Sequence, residues 1–118
     1  MSKKNDITDY LPLTEATYYI MLSLVEPLHG YGIMQKAEEI SKGRVVLAPG
    51  TLYGALSKLE DEDLITMVKA PVQEDSRRKY YGLTKSGRTV LKLEYERIKQ
   101  MTRESKSILE KMEETNNV

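Results

Sequence analysis

The sequence predicts a mainly α-helical chain with one small β-hairpin, closed by a long C-terminal helix. Three observations predict it. Apolar residues recur at helical spacing in successive stretches before residue 63. Two short β-prone runs, Leu64-Ile65-Thr66-Met67-Val68 and Lys79-Tyr80-Tyr81-Gly82-Leu83, then flank a polar segment. From Thr84 to about Glu114 a last helical pattern continues, with Gly87 in its first turn.

The bulk numbers bound the function. With 118 residues, 40% hydrophobic and 31% charged, the chain has the composition of one globular domain. Its core is modest, so a deep ligand pocket would need a second subunit. Eighteen basic and eighteen acidic residues cancel, and nucleic-acid binding must therefore rest on local charge segregation. Acids gather at Glu60-Asp61-Glu62-Asp63 and bases at Arg77-Arg78-Lys79. No cysteine is present, which excludes disulfides and thiolate metal sites. The longest apolar run, Tyr18 to Val25, contains Ser23 and is too short to span a bilayer, so a cytoplasmic protein is expected.

Residues 1–12 read as a loose polar segment in which Lys3 and Lys4 form a basic arm. Thr14 is the N-cap of a first helix, whose period runs through Ala16, Ile20 and Leu24 until Pro27 ends it. Ile33, Ala37 and Ile40 mark a second helix after Leu28-His29-Gly30-Tyr31-Gly32, and Gly43 suits the left-handed residue beyond its end. His29 is the only histidine, with no second histidine or cysteine to complete a site, so a hydrogen-bonded structural role is expected ahead of a ligand or a base. With no cofactor implied, the chain is not read as an enzyme. Arg44-Val45-Val46-Leu47 reads as a short strand before Pro49, which opens the third helix at the position where a missing N–H costs nothing.

The third helix carries the chemistry. Leu52, Ala55, Leu56 and Leu59 form a face to bury, while Gly50, Gly54 and Ser57 leave the other side bare, edged by Thr51, Tyr53 and Lys58. Each glycine inside a helix costs about 1 kcal/mol relative to alanine. Close approach of a DNA major groove would explain that cost; the alternative is that Gly50 merely sits in a helix start after Pro49 and Gly54 lets a neighbouring protein helix pack. Tyr53 suits a base or phosphate contact and equally suits a wedge between helices. The consecutive bases Arg77, Arg78 and Lys79, with Tyr80 beside them on an outer face, favour phosphate contact, and Lys42 and Arg44 are secondary candidates. Tyr81 and Leu83 are expected to point inward.

Three helices followed by a hairpin is the order of a winged helix-turn-helix at residues 13–83, with residues 84–118 a C-terminal dimerisation helix. That last helix is about 45 Å long, more than the domain can cover. Leu91, Ile98, Met101, Ile108 and Met112, with Tyr95 beside them, lie along a seam of 3.5-residue period that Glu94 and Ser105 interrupt. Tyr18, Tyr19, Met21, Tyr95 and Met101 could line a dimer cleft for a small aromatic effector, or simply form core.

Three stretches carry a resemblance: Leu28-His29-Gly30-Tyr31-Gly32-Ile33; Pro49-Gly50-Thr51-Leu52-Tyr53 with Leu56, Leu59 and Leu64-Ile65; and Arg77-Arg78-Lys79-Tyr80-Tyr81-Gly82-Leu83-Thr84. In this order they resemble PadR-like transcriptional regulators, in the small branch with a single C-terminal helix. The resemblance implies a homodimeric repressor that binds inverted repeats in double-stranded DNA and is released by a small effector. It implies DNA reading by Gly50, Thr51, Tyr53, Ser57 and Lys58 and wing contacts by Arg77, Arg78 and Lys79. Asp63 stands where the family commonly has glycine, a position that aspartate tolerates. A dimeric sensor or protein-binding adaptor without DNA binding is the alternative.

Overall fold

A computed structural model describes residues 6–72 and 77–116. The basic arm at Lys3 and Lys4, and the loop tip at 73–76, lie outside the described residues. A 3₁₀ turn, Ile7–Tyr10, leads into α1 (Glu15–Ser23), β1 (Leu28–His29), α2 (Gly30–Ile40), α3 (Pro49–Asp61), β2 (Ile65–Val68), β3 (Tyr80–Leu83) and α4 (Lys85–Asn116). This is the winged helix-turn-helix order, with a long helix appended.

The caps explain where the helices start and stop. Thr14 holds the N–H of Thr17 at 3.1 Å, as its place in the sequence predicts. At the end of α2, Gly43 N–H donates to the Glu38 carbonyl and Lys42 N–H to that of Glu39, closing a Schellman turn. Gly43 has positive φ as expected, but Lys42 also sits there, at φ 57°, and it is Lys42 that occupies the first left-handed position. The same closure ends α3, with Asp63 left-handed at φ 58° and Leu64 N–H bonded to the Leu59 carbonyl.

The small sheet has the order β1-β3-β2, all antiparallel. Its third strand is Leu28–His29, not residues 44–47, which correct the reading of a strand there. Val45 and Leu47 do turn inward and Val46 is 70% exposed, so the alternation is real. Among the described residues no strand lies beside it to make a ladder. Tyr80 corrects a second expectation: it is buried rather than outward, because β1 lies along β3 and His29 packs edge-on against the Tyr80 ring, 5.3 Å between centroids. Tyr81 is buried as expected and Leu83 is half-buried.

Ile20, Met21, Leu24, Ile33, Leu52, Leu56, Leu59, Leu64 and Val90 form the centre of the core. Leu91 joins them, so this first rung of the expected seam belongs to the chain's own interior. The segment read as loose is in part ordered: Asp6 caps the 3₁₀ turn, and Ile7, Tyr10 and Leu11 pack on the core. Glu94, 1% exposed, fastens it there. Its carboxylate accepts the Leu13 N–H at 2.9 Å and two bonds from Arg97, at 2.6 and 2.9 Å.

Three elements meet at one hydroxyl. Thr84 Oγ1 donates to the Asp63 carbonyl at 2.6 Å and accepts the Gly87 N–H at 2.9 Å. There α4 presses so closely on the end of α3 that a Cβ on Gly87 would lie 1.9 Å from the Leu64 carbonyl oxygen. Backbone must move to admit it, so Gly87→Ala is expected to lower stability by ~1–3 kcal/mol in urea unfolding. An unchanged midpoint would refute that contact.

Glu94 yields a pH prediction. Hydrogen bonding from Arg97 is the largest influence and holds the Glu94 carboxyl below the ordinary value of 4.5; burial opposes it, and the Leu13 N–H and the charge of Arg97 add to the lowering. A depressed folded value means that the stabilisation is complete above the ordinary glutamate range and lost as pH falls through the folded value. Glu94→Gln should therefore cost about 2 kcal/mol at pH 7, and the gap should shrink in acid. Urea curves at pH 7 and pH 3 with an equal gap would contradict this.

Candidate nucleic-acid interface

The two faces of α3 have opposite fates. Leu52, Leu56 and Leu59 are sealed, with 3% exposure or less. Gly50, Thr51, Tyr53, Gly54, Ser57 and Lys58 are exposed. A Cβ built on Gly50 or Gly54 would meet no atom within 4 Å. Among the described residues nothing needs either glycine, and the neighbouring-helix explanation has no counterpart there. Ala48, the residue before α3, supplies no side-chain cap. The first turn thus keeps backbone donors that an anion could use.

Tyr53 satisfies both of its sequence readings in part. Its ring lies on the first turn of α2, where a Cβ on Gly30 would be 2.3 Å from the Tyr53 hydroxyl oxygen. Half the side chain nevertheless remains exposed. Beside it opens a hollow of about 290 Å³, lined by His29, Gly30, Tyr31, Tyr53, Arg78, Lys79 and Tyr81. The fold thus brings two wing bases to the end of α2 and the flank of α3. Burial first, then Glu60 and Tyr53, push the Tyr81 hydroxyl up, so this phenol stays neutral near pH 7.

Arg77, Arg78 and Lys79 are all exposed just before β3. Lys42 is exposed at the α2 turn. Arg44 is committed elsewhere: it is paired with Glu15, bonded to the Tyr19 hydroxyl at 2.9 Å and stacked over that ring. Lys58 faces the other side of α3, in a second hollow with Tyr10, Leu13 and Glu62. Tyr80 is buried and presents no outer surface. Tyr31 escaped sequence reading although it is 58% exposed; a large aromatic between two glycines was the available signal.

Along α4, Tyr95, Met101, Ile108, Leu109 and Met112 are exposed and Ile98 is half-buried. Ile98, Met101, Ser105, Leu109 and Met112 line one shallow apolar groove. Leu109 is an addition, one residue off the strict seam. Of the suggested effector cleft, Met21 is fully buried core and Tyr19 is held by Arg44. Tyr18 and Tyr95 do share a hollow of about 240 Å³ with Leu22, Val25, Leu83 and Leu91. Among the described residues no group of histidine, cysteine, aspartate and glutamate could hold a metal ion, and no helix is long and apolar enough to cross a membrane.

Residues 20–93 match the model of the transcriptional regulator PadR-like family. A PadR-like transcription factor from Bacteroides fragilis is 31% identical, with 78% of this chain and 87% of that one covered and a TM-score of 0.62. A PadR family transcription regulator from Clostridium difficile is 26% identical, with 79% and 97% covered and a TM-score of 0.61. An uncharacterized 37.1 kDa protein in transposon TN4556 of Streptomyces fradiae is 38% identical over 81 residues, 68% of this chain. The chain spans 22% of that relative's length.

Proposed function

The chain belongs to the PadR-like family of transcriptional regulators, and on that premise we propose that it is a homodimeric repressor whose α3 helices enter successive major grooves of an inverted repeat. The family consists of regulators, not enzymes. The observation that carries the proposal is the outer face of α3, where two glycines stand in open space. Gly54, in the helix interior, costs the isolated helix about 1 kcal/mol relative to alanine, while Gly50 stands in the first turn beside Pro49. A helix without side chains at those positions can lie deeper in a groove, where base edges and backbone approach it.

In this reading Thr51 and Ser57 address base edges, and Tyr53 lies at the groove rim. Lys58, Arg77, Arg78 and Lys79 take phosphates, with Lys42 a further phosphate contact. Arg44 and Tyr80, one paired and one buried, drop out of the set. Residues 13–83 form the DNA-binding unit and α4 the dimerisation helix. Pairing along the exposed stripe at Ile98, Met101, Leu109 and Met112 would set the two α3 helices ~34–36 Å apart, one turn of duplex. A small aromatic effector would use the hollow at Tyr18 and Tyr95 and release the operator, in the cytoplasm.

Two measurements test this. Gly54→Ala should raise stability by ~0.5–1 kcal/mol while weakening binding to the duplex upstream of the gene. A variant that is stabilised and still binds as tightly would remove the groove explanation. Leu109→Glu places a charge in the stripe twice per dimer, and burial of each leucine is worth ~1.5–3 kcal/mol. Sedimentation velocity should show dimerisation weakened at least tenfold, with the population shifted toward monomer; an unchanged dimer would exclude this face.

A further inference from the structure

The first turn of α2 holds Gly30, Tyr31, Gly32 and Ile33. Packing inside the chain accounts for three of them. Ile33 is sealed in the core. A Cβ on Gly30 would lie 2.3 Å from the Tyr53 hydroxyl oxygen, and one on Gly32 would lie 3.1 Å from Leu28 Cδ2 and 3.3 Å from His29 Cε1. Tyr31 has no such reason: between two glycines that must stay small, it stands out from the turn, 58% exposed.

An exposed tyrosine is ordinary by itself; its company is what gives this one a use. Tyr31 lines the hollow of about 290 Å³ together with Tyr53 from α3 and Arg78 and Lys79 from the wing. Three separate elements thus bring two phenols and two cations to one space. Among the described residues no carboxylate lines it, and Glu60 acts on the Tyr81 hydroxyl from outside that lining. Arg78 brings Nη1 to the His29 ring at 2.9 Å. A guanidinium carries five N–H donors, so its fork can still serve a second partner. Ammonium and guanidinium groups only donate, and each phenol can donate one bond more. A set of donors around one space, with net positive charge, suits an anion that offers several acceptor oxygens.

We propose that this hollow seats one phosphodiester of the duplex backbone, and that Tyr31 is a DNA contact supplied by α2. The inference rests on the DNA-binding reading above and adds a third element to it. Tyr53 travels with α3 and Arg78 with the wing, so a phosphate held by both fixes how far α3 enters the groove. Such a contact positions the protein and carries no sequence information. Tyr31 contributes a directed hydrogen bond and ring surface rather than charge. Its part is therefore separable from that of the cations by salt dependence.

Tyr31→Phe keeps the exposed ring and removes only the hydroxyl, so the fold is left as it is. Fluorescence anisotropy on the duplex upstream of the gene should show binding weakened roughly tenfold, the loss of one hydrogen bond to a charged acceptor. The slope of affinity against salt should not change. Lys79→Ala should instead make that slope shallower by about one. Replacing the duplex phosphates one at a time by neutral methylphosphonate should identify a position whose neutralisation costs the wild type several-fold more than it costs Tyr31→Phe. Equal affinity of Tyr31→Phe and wild type overturns the proposal. So does a weakened variant that loses the same factor as the wild type at every position. If the wild type binds no duplex, the DNA reading falls and this inference with it, whereas the other two results overturn the inference alone.

Discussion

Leu52, Leu56 and Leu59 lock one side of α3 into the core that α1, α2 and the start of α4 also enter, and so dictate which residues the helix shows. Three buried leucines are worth on the order of 5–9 kcal/mol of transfer free energy, far more than rotating the helix to hide its glycines could recover. Gly50, Gly54, Thr51 and Ser57 are outward because the leucines are inward. Tyr53, at the border between the faces, folds onto α2 where Gly30 leaves room. The bare surface is thus a consequence of packing, and its composition is what gives it a use.

A second constraint sets the wing and the long helix relative to that surface. The left-handed Asp63, Thr84 and Gly87 bring the end of α3, the last residue of the hairpin and the first turn of α4 within hydrogen-bond distance of one another. Thr84 N–H also bonds the Leu64 carbonyl, which lies against Gly87. A change in the direction of α4 would be felt at this junction, which ties its first turn to the end of α3 and to the hairpin.

The helices and hairpin were legible because each has a local signal. Thr14, Pro49, Asp63 and Thr84 punctuate the chain, and leucine spacing gives the buried face of α3. What escaped depends on partners distant in sequence. β1 is only two residues long and exists because β3 lies beside it, whereas residues 44–47 have the strand pattern without a neighbour. Tyr80 looks amphipathic by alternation, but His29 closes the face that alternation assigns to water. Glu94 reads as a flaw in the α4 seam; in the fold it anchors Leu13, 81 residues away in sequence. Arg44 reads as a secondary phosphate candidate, and sequence does not reveal that, still exposed, it also meets Glu15 and Tyr19. At the candidate site the exposure of the α3 face and of the bases at 77–79 was legible in the sequence, whereas the approach of Arg78 to His29 was not, because the two lie 49 residues apart.

The central claim is that two bare α3 faces meet one side of a duplex together. Hydroxyl-radical footprinting of the bound duplex tests it most directly. The account predicts two protected tracts on the same face, their centres separated by one helical repeat of ~10 base pairs. Protection confined to a single tract, or no protection at concentrations that saturate the dimer, would contradict it.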